Sequence, residues 1–402
     1  MAHVAVFNFP AIGHVNPTLG VVAELVRRGH RVTCTATDYF VPAIRSAGAE
    51  PVRYASIFGE FYRSPYTAEA LRNSALRSLD DAVLLVDAAE EFYRANRPDV
   101  ILYDSISWAG RFYASKYGIP AIRLFPSYAF NECFSIQERF PLTTFDDDEV
   151  VTMLDRVEAL LPEYGFEGRA MEFVRTVEKL AIVFMPREFH YAAETFDERF
   201  VFVGPCIRDR SAFQGVWRPS EHSTLLVSLG TAATGWPEFF PMALKAFGDV
   251  QVVLAVGDHM DVAELGRIPA NVDVRRHVPQ LDVLRHATAF VTHGGMNSAM
   301  EALYFGVPTV VIPQMNEQKA TALRIEELGL GRHLAKADTT VTSLRASAAE
   351  ISTNPEIAKN LAEVKNRIHE TNGPITAAEA IEKHLSQARC DPPARVARPG
   401  DR

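Results

Sequence analysis

Short runs of β-branched and aromatic residues alternate along the chain with longer stretches whose apolar positions recur every three to four residues. In the first half, the runs at 3–9, 31–37, 99–103, 121–125, 180–185 and 200–203 predict strands. Between them, amphipathic stretches at 16–28, 69–95 and 106–117 predict helices. The strand runs are apolar nearly throughout, which is the pattern of strands buried on both faces of a parallel sheet. Strand and helix in alternation then imply right-handed βαβ units. The second half repeats the scheme, with strands predicted at 224–229, 250–256, 272–275, 289–292 and 309–312 and helices at 296–304 and 318–328. Between the halves, 204–222 (GPCIRDRSAFQGVWRPSEH) is rich in Gly, Pro and charge and has no period, so it predicts a linker. Two open α/β units joined this way leave a cleft, and such sheets bind ligands at the carboxyl ends of their strands.

Two regions break the rhythm. Residues 56–66 and 127–169 are aromatic-rich and lack a clear period, as functional loops often do, although variable surface loops share that composition. The stretch 390–402 (CDPPARVARPGDR) is almost devoid of apolar residues and predicts a frayed tail.

Composition narrows the class. A length of 402 residues suggests two domains at roughly 150 residues each. With 48% hydrophobic and 23% charged residues the chain has enough apolar content for packed cores, which excludes a disordered regulator. Its 41 Lys and Arg against 50 Asp and Glu give a net charge of -9. Such a surface repels nucleic-acid phosphates, and no basic stripe offsets it, so no nucleic-acid partner is expected. A small anion stays open, because a helix N-terminus holds phosphate without net positive charge. Cys34, Cys133, Cys206 and Cys390 are widely spaced and suggest neither a zinc site nor a disulfide framework. The first residues lack the basic flank of a signal peptide, and no window reaches the ~20 apolar residues of a membrane span. A cytoplasmic protein is the expectation.

The densest chemical signal is FVTHGGMNSAME at 290–301. A strand ends in His293, Gly294 and Gly295 let the backbone turn closely, and a helix begins. Backbone N–H groups then converge where the helix dipole favours an anion, with His293, Asn297 and Ser298 adding side-chain donors. In the first half, PAIGHVNP at 10–17 also joins a strand to a helix, with Pro17 expected in the helix's first turn. His14 is placed at the strand's carboxyl end, where an imidazole suits general-base work. Asp104 ends a neighbouring strand and could orient that imidazole. Three more strand ends carry matching groups: Ser228, Gly230 and Thr231 for phosphate, the string His277–Val278–Pro279–Gln280, and an amide–carboxylate run at 313–318 suited to sugar hydroxyls. The acidic string 146–149 reads as a helix start rather than a metal site. Neither a dinucleotide fingerprint, a P-loop nor a nucleophile elbow occurs.

These strings, together with FMPREF…ETFDERFVFVGP, SLGT, HVPQLDVLRHA and the run THGGMNSAMEALYFGVPTVVIPQMNEQKATALRIEELGLG, resemble the macrolide-type natural-product glycosyltransferases of the bacterial UDP-glycosyltransferase family. The resemblance runs from about residue 3 to 385. It implies an α/β GT-B fold: two Rossmann-like domains whose parallel sheets face each other across a cleft. The expected division is an acceptor domain at 1–205, a linker at 206–222 and a donor domain at 223–375. A helix at 376–390 then returns to the first domain, followed by a flexible tail at 391–402. The resemblance makes His14 the catalytic base and Asp104 its partner. It assigns the donor diphosphate to His293, Gly295, Asn297 and Ser298, assisted by Thr231, with Gly13, Ser228 and Gly230 also facing the donor. Val278 and Gln280 fall where the nucleobase is held, Glu301 at the ribose, and Glu317 and Gln318 at the sugar. His277 stands where many relatives have Trp, which leaves UDP and TDP donors both open.

The implied reaction is inverting transfer of a sugar to a hydroxyl of a hydrophobic macrolide, polyketide or phenolic acceptor. It uses a nucleotide sugar as co-substrate, with no permanently bound cofactor and no strict need for a metal. A homodimer is left open. Two rivals share the plan: a nucleotide-sugar epimerase, which would not need an acceptor pocket, and a noncatalytic nucleotide-sugar-binding helper, which would be expected to lack His14 and Asp104.

Overall fold

The computed structural model describes residues 1–59, 74–140, 147–219, 224–230, 236–258 and 260–390. Among them, thirteen strands form two sheets, and every strand pairing is parallel. The first sheet comprises β1 (His3–Phe7), β2 (Arg31–Ala36), β3 (Glu50–Arg53), β4 (Val100–Asp104), β5 (Ala121–Phe125), β6 (Ala181–Val183) and β7 (Phe200–Phe202), in the order β3-β2-β1-β4-β5-β6-β7. The second comprises β8 (Thr224–Ser228), β9 (Gln251–Ala255), β10 (Val272–Arg275), β11 (Ala287–Thr292), β12 (Thr309–Val311) and β13 (Gly331–His333), ordered β10-β9-β8-β11-β12-β13. The strand order reverses between β1 and β4 in one sheet and between β8 and β11 in the other. Those switch points are where open α/β sheets accept ligands, and the candidate residues cluster there.

Two strands escape the periodicity, β3 (EPVR) and β13 (GRH). Both lie at sheet edges, where a strand has one neighbour and Pro or charge is tolerated. Helix starts also differ. The first helix runs Ile12–Arg27 rather than from 16, so Pro17 sits inside it, not in its first turn. Proline has no N–H to give the carbonyl four residues back, which leaves Gly13's oxygen outside the helical ladder. The helix expected at 318–328 is Asn316–Glu327, which puts Glu317 and Gln318 in its first turn.

The region 127–169 is less of a loop than its aromatic content suggests. The helix Asp147–Leu160 opens on Asp147, Asp148 and Glu149, whose charge suits a helix N-terminus; Asp146 lies outside the described residues. Beyond it, Tyr164 stacks on Phe112 at 4.5 Å between ring centroids, and Phe112 stacks on Phe173 at 4.9 Å. From 147 onward this segment is packed scaffold. Of the stretch 56–66, residues 60–66 lie outside the described set, as do 220–222 and 391–402.

The linker begins buried. Val203 and Cys206 share a core with Val15, Leu19 and Val22 of the first helix and with Ala377, Ala378, Ile381 and Leu385 of the last helix, Gly373–Cys390. Glu382 on that last helix accepts from Arg28 at 2.8 Å and pairs with His30 at 3.0 Å, so the end of the chain is tied to its beginning. A second core is continuous between the sheets, running from Phe125, Val183 and Phe200 to Leu254, Val291 and Val310. Among the described residues, no helix is long and apolar enough to cross a membrane.

Candidate active site

His14 lies in the first turn of the helix that follows β1, and Asp104 is the last residue of β4, the strand beside β1. Adjacency at the switch point brings the two together. His14 Nδ1 donates to Asp104 Oδ2 at 2.7 Å, and the other carboxylate oxygen accepts from the Ile106 backbone N–H at 2.9 Å. A carboxylate only accepts, so the proton sits on Nδ1 and Nε2 is left as the basic atom. The Asp104 side chain is fully buried while that of His14 is 23% exposed. Burial by itself would depress the imidazole pKa. The charge and hydrogen bond of Asp104, helped by the charge of Glu317, outweigh that and hold it above its ordinary 6.5. Phe9 meets the imidazole edge-on at 5.2 Å and Phe58 meets Phe9 at 5.1 Å, an aromatic wall beside the ring. Gly13 is exposed, with open space where a side chain would stand.

In the second sheet, His293 follows β11 and its ring lies between two glycines. A Cβ on Gly230 would come within 2.5 Å of His293 Cε1, and one on Gly295 within 2.5 Å of Nε2. The SLG turn after β8 and the HGG turn after β11 therefore close on one imidazole, which only glycine permits at either position. Burial drives the His293 pKa down to about 4, so near neutral pH it is an uncharged ring with one N–H to give. Gly295 caps the helix Met296–Phe305 without a side chain, so no side-chain oxygen competes for the N–H groups of its first turn. Ser228 is buried, and its hydroxyl oxygen accepts from the Gly230 N–H at 3.2 Å. Thr231 lies outside the described residues.

Glu301, in the second turn of the same helix, is only 1% exposed. Its Oε1 accepts from Arg210 at 2.7 Å and from the Asn297 amide at 3.0 Å, and its Oε2 from the Gln280 amide at 2.7 Å. Gln280 also donates to the Ser298 hydroxyl at 3.2 Å. Four of the expected donor residues thus form one network. Val278 turns its side chain onto the small core around Trp217 and Val283. His277 is exposed and paired with Asp258 at 2.9 Å.

Glu317 accepts from the Ser127 hydroxyl at 2.5 Å, so the loop after β5 touches the second half near His14. Gln318 is buried, and its carbonyl oxygen accepts from the Gln314 N–H at 2.7 Å. The helix carrying both is fastened to the first half. Arg324 donates to the carbonyls of Phe189 at 3.1 Å and Glu188 at 2.6 Å, and the Tyr191 hydroxyl donates to Ala320 at 2.9 Å.

Arg210, Arg324 and Arg123 are missing from the sequence reading. Arg123, within β5, is buried and donates to the Ser105 carbonyl at 2.8 Å, which steadies the turn just after Asp104. Each is a single arginine with no motif around it, and its partner is distant in sequence. Among the described residues, no group of three His, Cys, Asp or Glu side chains is arranged to hold a metal ion.

Residues 242–383 match the family model for the Erythromycin biosynthesis protein CIII-like C-terminal domain. The NDP-glycosyltransferase YjiC of Bacillus licheniformis is 41% identical over 96% of this chain and 98% of its own. Demethyllactenocin mycarosyltransferase of Streptomyces fradiae is 39% identical over 96% of this chain and 87% of its own. Among solved structures, the calicheamicin glycosyltransferase CalG4 superposes with a TM-score of 0.82 at 34% identity, covering 96% of this chain and 99% of that one. Likeness on this scale spans both sheets and both switch points: the chain belongs to the natural-product glycosyltransferases of the UDP-glycosyltransferase family and has their two-domain GT-B fold.

Proposed function

We propose that the protein transfers a sugar from a nucleoside diphosphate donor to a hydroxyl of a hydrophobic natural product, inverting the anomeric centre. The observation that carries this is the His14–Asp104 pair, 2.7 Å apart at one switch point, with Glu317 of the other half close enough to act on its pKa. In this reading His14 Nε2 takes the acceptor's proton as its oxygen attacks the anomeric carbon, and Asp104 stabilises the imidazolium that forms. The nucleoside diphosphate leaves from the opposite face through an oxocarbenium-like transition state, and one displacement gives inversion. Charge growing on the diphosphate is met by the N–H groups opening the helix Met296–Phe305 and by the His293 N–H, so no metal is required in the scheme. Glu317 and Gln318 read the sugar, and Val278 and Gln280 lie toward the nucleoside.

The wall of Phe9 and Phe58 supports an apolar acceptor bound mainly by residues 1–205, with the donor bound by 223–375. The name of the Bacillus relative, an NDP-glycosyltransferase, fits a nucleoside diphosphate donor, and both UDP and TDP remain candidates. The competing epimerase reading gives no task to that wall.

The test is incubation with UDP-glucose or TDP-glucose and a macrolide or flavonoid in the presence of EDTA. A mass gain of one hexose is expected, with the anomeric configuration of the product opposite to that of the donor by NMR. Retention would sink the single-displacement mechanism. His14→Ala should cut turnover by roughly 10²–10⁴-fold while UDP still binds; undiminished turnover would remove His14 from its role.

A further inference from the structure

The turn after β4 joins two charges through one peptide unit. The carbonyl of Ser105 accepts from Arg123 Nη2 at 2.8 Å. The N–H of that same peptide, carried by Ile106, donates to Asp104 Oδ1 at 2.9 Å. Asp104 Oδ2 in turn accepts from His14 Nδ1 at 2.7 Å. A single hydrogen-bonded chain therefore runs from guanidinium to peptide to carboxylate to imidazole. Hydrogen bonds in series polarise one another, and more strongly where water is excluded.

The surroundings favour such a relay. β5 lies beside β4 with Arg123 opposite Tyr103, and the Leu124 carbonyl accepts from the Ser105 N–H at 2.9 Å, so the turn is pinned from both sides of the Ser105 residue. Arg123 is 2% exposed and Asp104 fully buried. The guanidinium lies over the Phe130 ring, 4.4 Å from its centroid. Its other hydrogen bonds go to the carbonyls of Val174 and Thr176, both at 3.1 Å, and not to a carboxylate. A buried cation is costly unless opposite charge answers it, and here the peptide carries its effect to Asp104. The titratable groups that face Arg123 are Tyr103, Arg111, Glu178 and Asp104. Those that face His14 are Asp104 and Glu317.

We propose that Arg123 is a positioning residue for the base. Through the Ser105–Ile106 peptide it fixes Asp104 Oδ1 and draws charge from the carboxylate, so that Asp104 orients His14 without holding its second proton too tightly. The inference rests on the catalytic reading of His14 above, and Arg123 acts only through Asp104. Its sign is definite. Without the guanidinium the carboxylate is more negative, binds the imidazolium more strongly and keeps His14 protonated to higher pH. Loss of Asp104 itself would act the other way.

The experiment is a histidine 13C NMR titration of the whole protein, with His14 assigned by comparison with His14→Ala, beside pH–rate profiles and thermal melting. In Arg123→Met the His14 midpoint should rise, and on the acid side of the profile kcat/KM should fall by about three- to tenfold, a loss that shrinks as pH rises. Arg123→Lys keeps the charge and can reach the Ser105 carbonyl, so it should return the midpoint toward that of the wild type. An unmoved midpoint in Arg123→Met would reduce Arg123 to a brace for Val174 and Thr176. A lowered one would mean that Asp104 had swung away from His14, and a lysine that shifts the midpoint as far as methionine would deny the charge a role. Each of these overturns the proposal. Should Arg123→Met not fold, Arg123→Gln decides, since it is neutral yet can still donate to a carbonyl: a raised midpoint is expected, and an unmoved one refutes the idea. The NMR titration needs no turnover, so a wild type that transfers no sugar would sink the catalytic reading and be told apart from failure of the relay.

Discussion

At the scale of single residues, the catalytic proposal is a statement about one proton. His14 must be uncharged to accept it, and Asp104 opposes that by holding the imidazole pKa above 6.5. The sign follows directly: kcat/KM should fall as pH drops through a value above 6.5, because protonation removes the base. Asp104→Asn withdraws the opposing charge and leaves burial with the larger say. The acid limb of the profile should therefore move to lower pH. The plateau should drop by roughly 10²–10⁴-fold, since an amide no longer stabilises the imidazolium. A pH–rate profile of the two proteins checks both, and an unmoved limb would mean that Asp104 does not set the His14 pKa. His293 shows the reverse balance. With burial as the cause and no compensating anion, its pKa falls to about 4. The two histidines look alike as letters; their surroundings raise the pKa of one and lower that of the other.

At the scale of elements, the recurrent device is a strand, a tight turn and a helix. His14 follows β1, and His293 follows β11. Ser228 and Gly230 close β8 and the turn after it, while Glu317 opens the helix after β12. These placements were legible in the sequence because each is local: an apolar run, then Gly, His or Pro, then a helical period. What the period blurred was edges and starts. The edge strands β3 and β13 bury too little to need an apolar pattern, and the first helix begins before the residues that looked periodic. The glycine contacts that close on the His293 ring yield a prediction at this scale. Gly295→Ala sets a Cβ where only 2.5 Å separates it from His293 Nε2, so the ring must move. UDP affinity should fall about tenfold in the wild-type background and hardly at all in a His293→Ala background, where the ring is gone. Equal losses in the two backgrounds, measured by calorimetry, would show that the ring is not what Gly295 accommodates.

At the scale of the whole molecule, the cleft is set by contacts no local pattern announces. Arg324 binds three carbonyls of the 187–190 turn, Tyr191 reaches the Ala320 carbonyl, and the last helix is bound to the first through Glu382. The Arg324 clamp fixes the helix bearing Glu317 and Gln318 against the half that carries His14. Arg324→Met should loosen that placement while sparing the distant Gln280–Glu301 network. Turnover is expected to fall about tenfold or more, since small errors of alignment are expensive in a displacement, with UDP affinity within about twofold of wild type. A parallel loss in both, from steady-state rates and calorimetry, would mean that the clamp serves stability rather than alignment.

The sequence by itself determined the α/β class, most strands, the linker's location and the residue types at the strand ends, because these depend on short-range period and turn chemistry. It also carried the family resemblance, which named the site residues. Only the tertiary structure decided which of those residues meet. Asp104 reaches His14 because β4 lies beside β1, and 90 residues of chain separate them. Glu301, expected at the ribose, is buried and paired because Arg210, 91 residues away in the linker, folds onto it. Hydrogen bonding and burial act through space, and a pattern read along the chain holds no measure of distance across it.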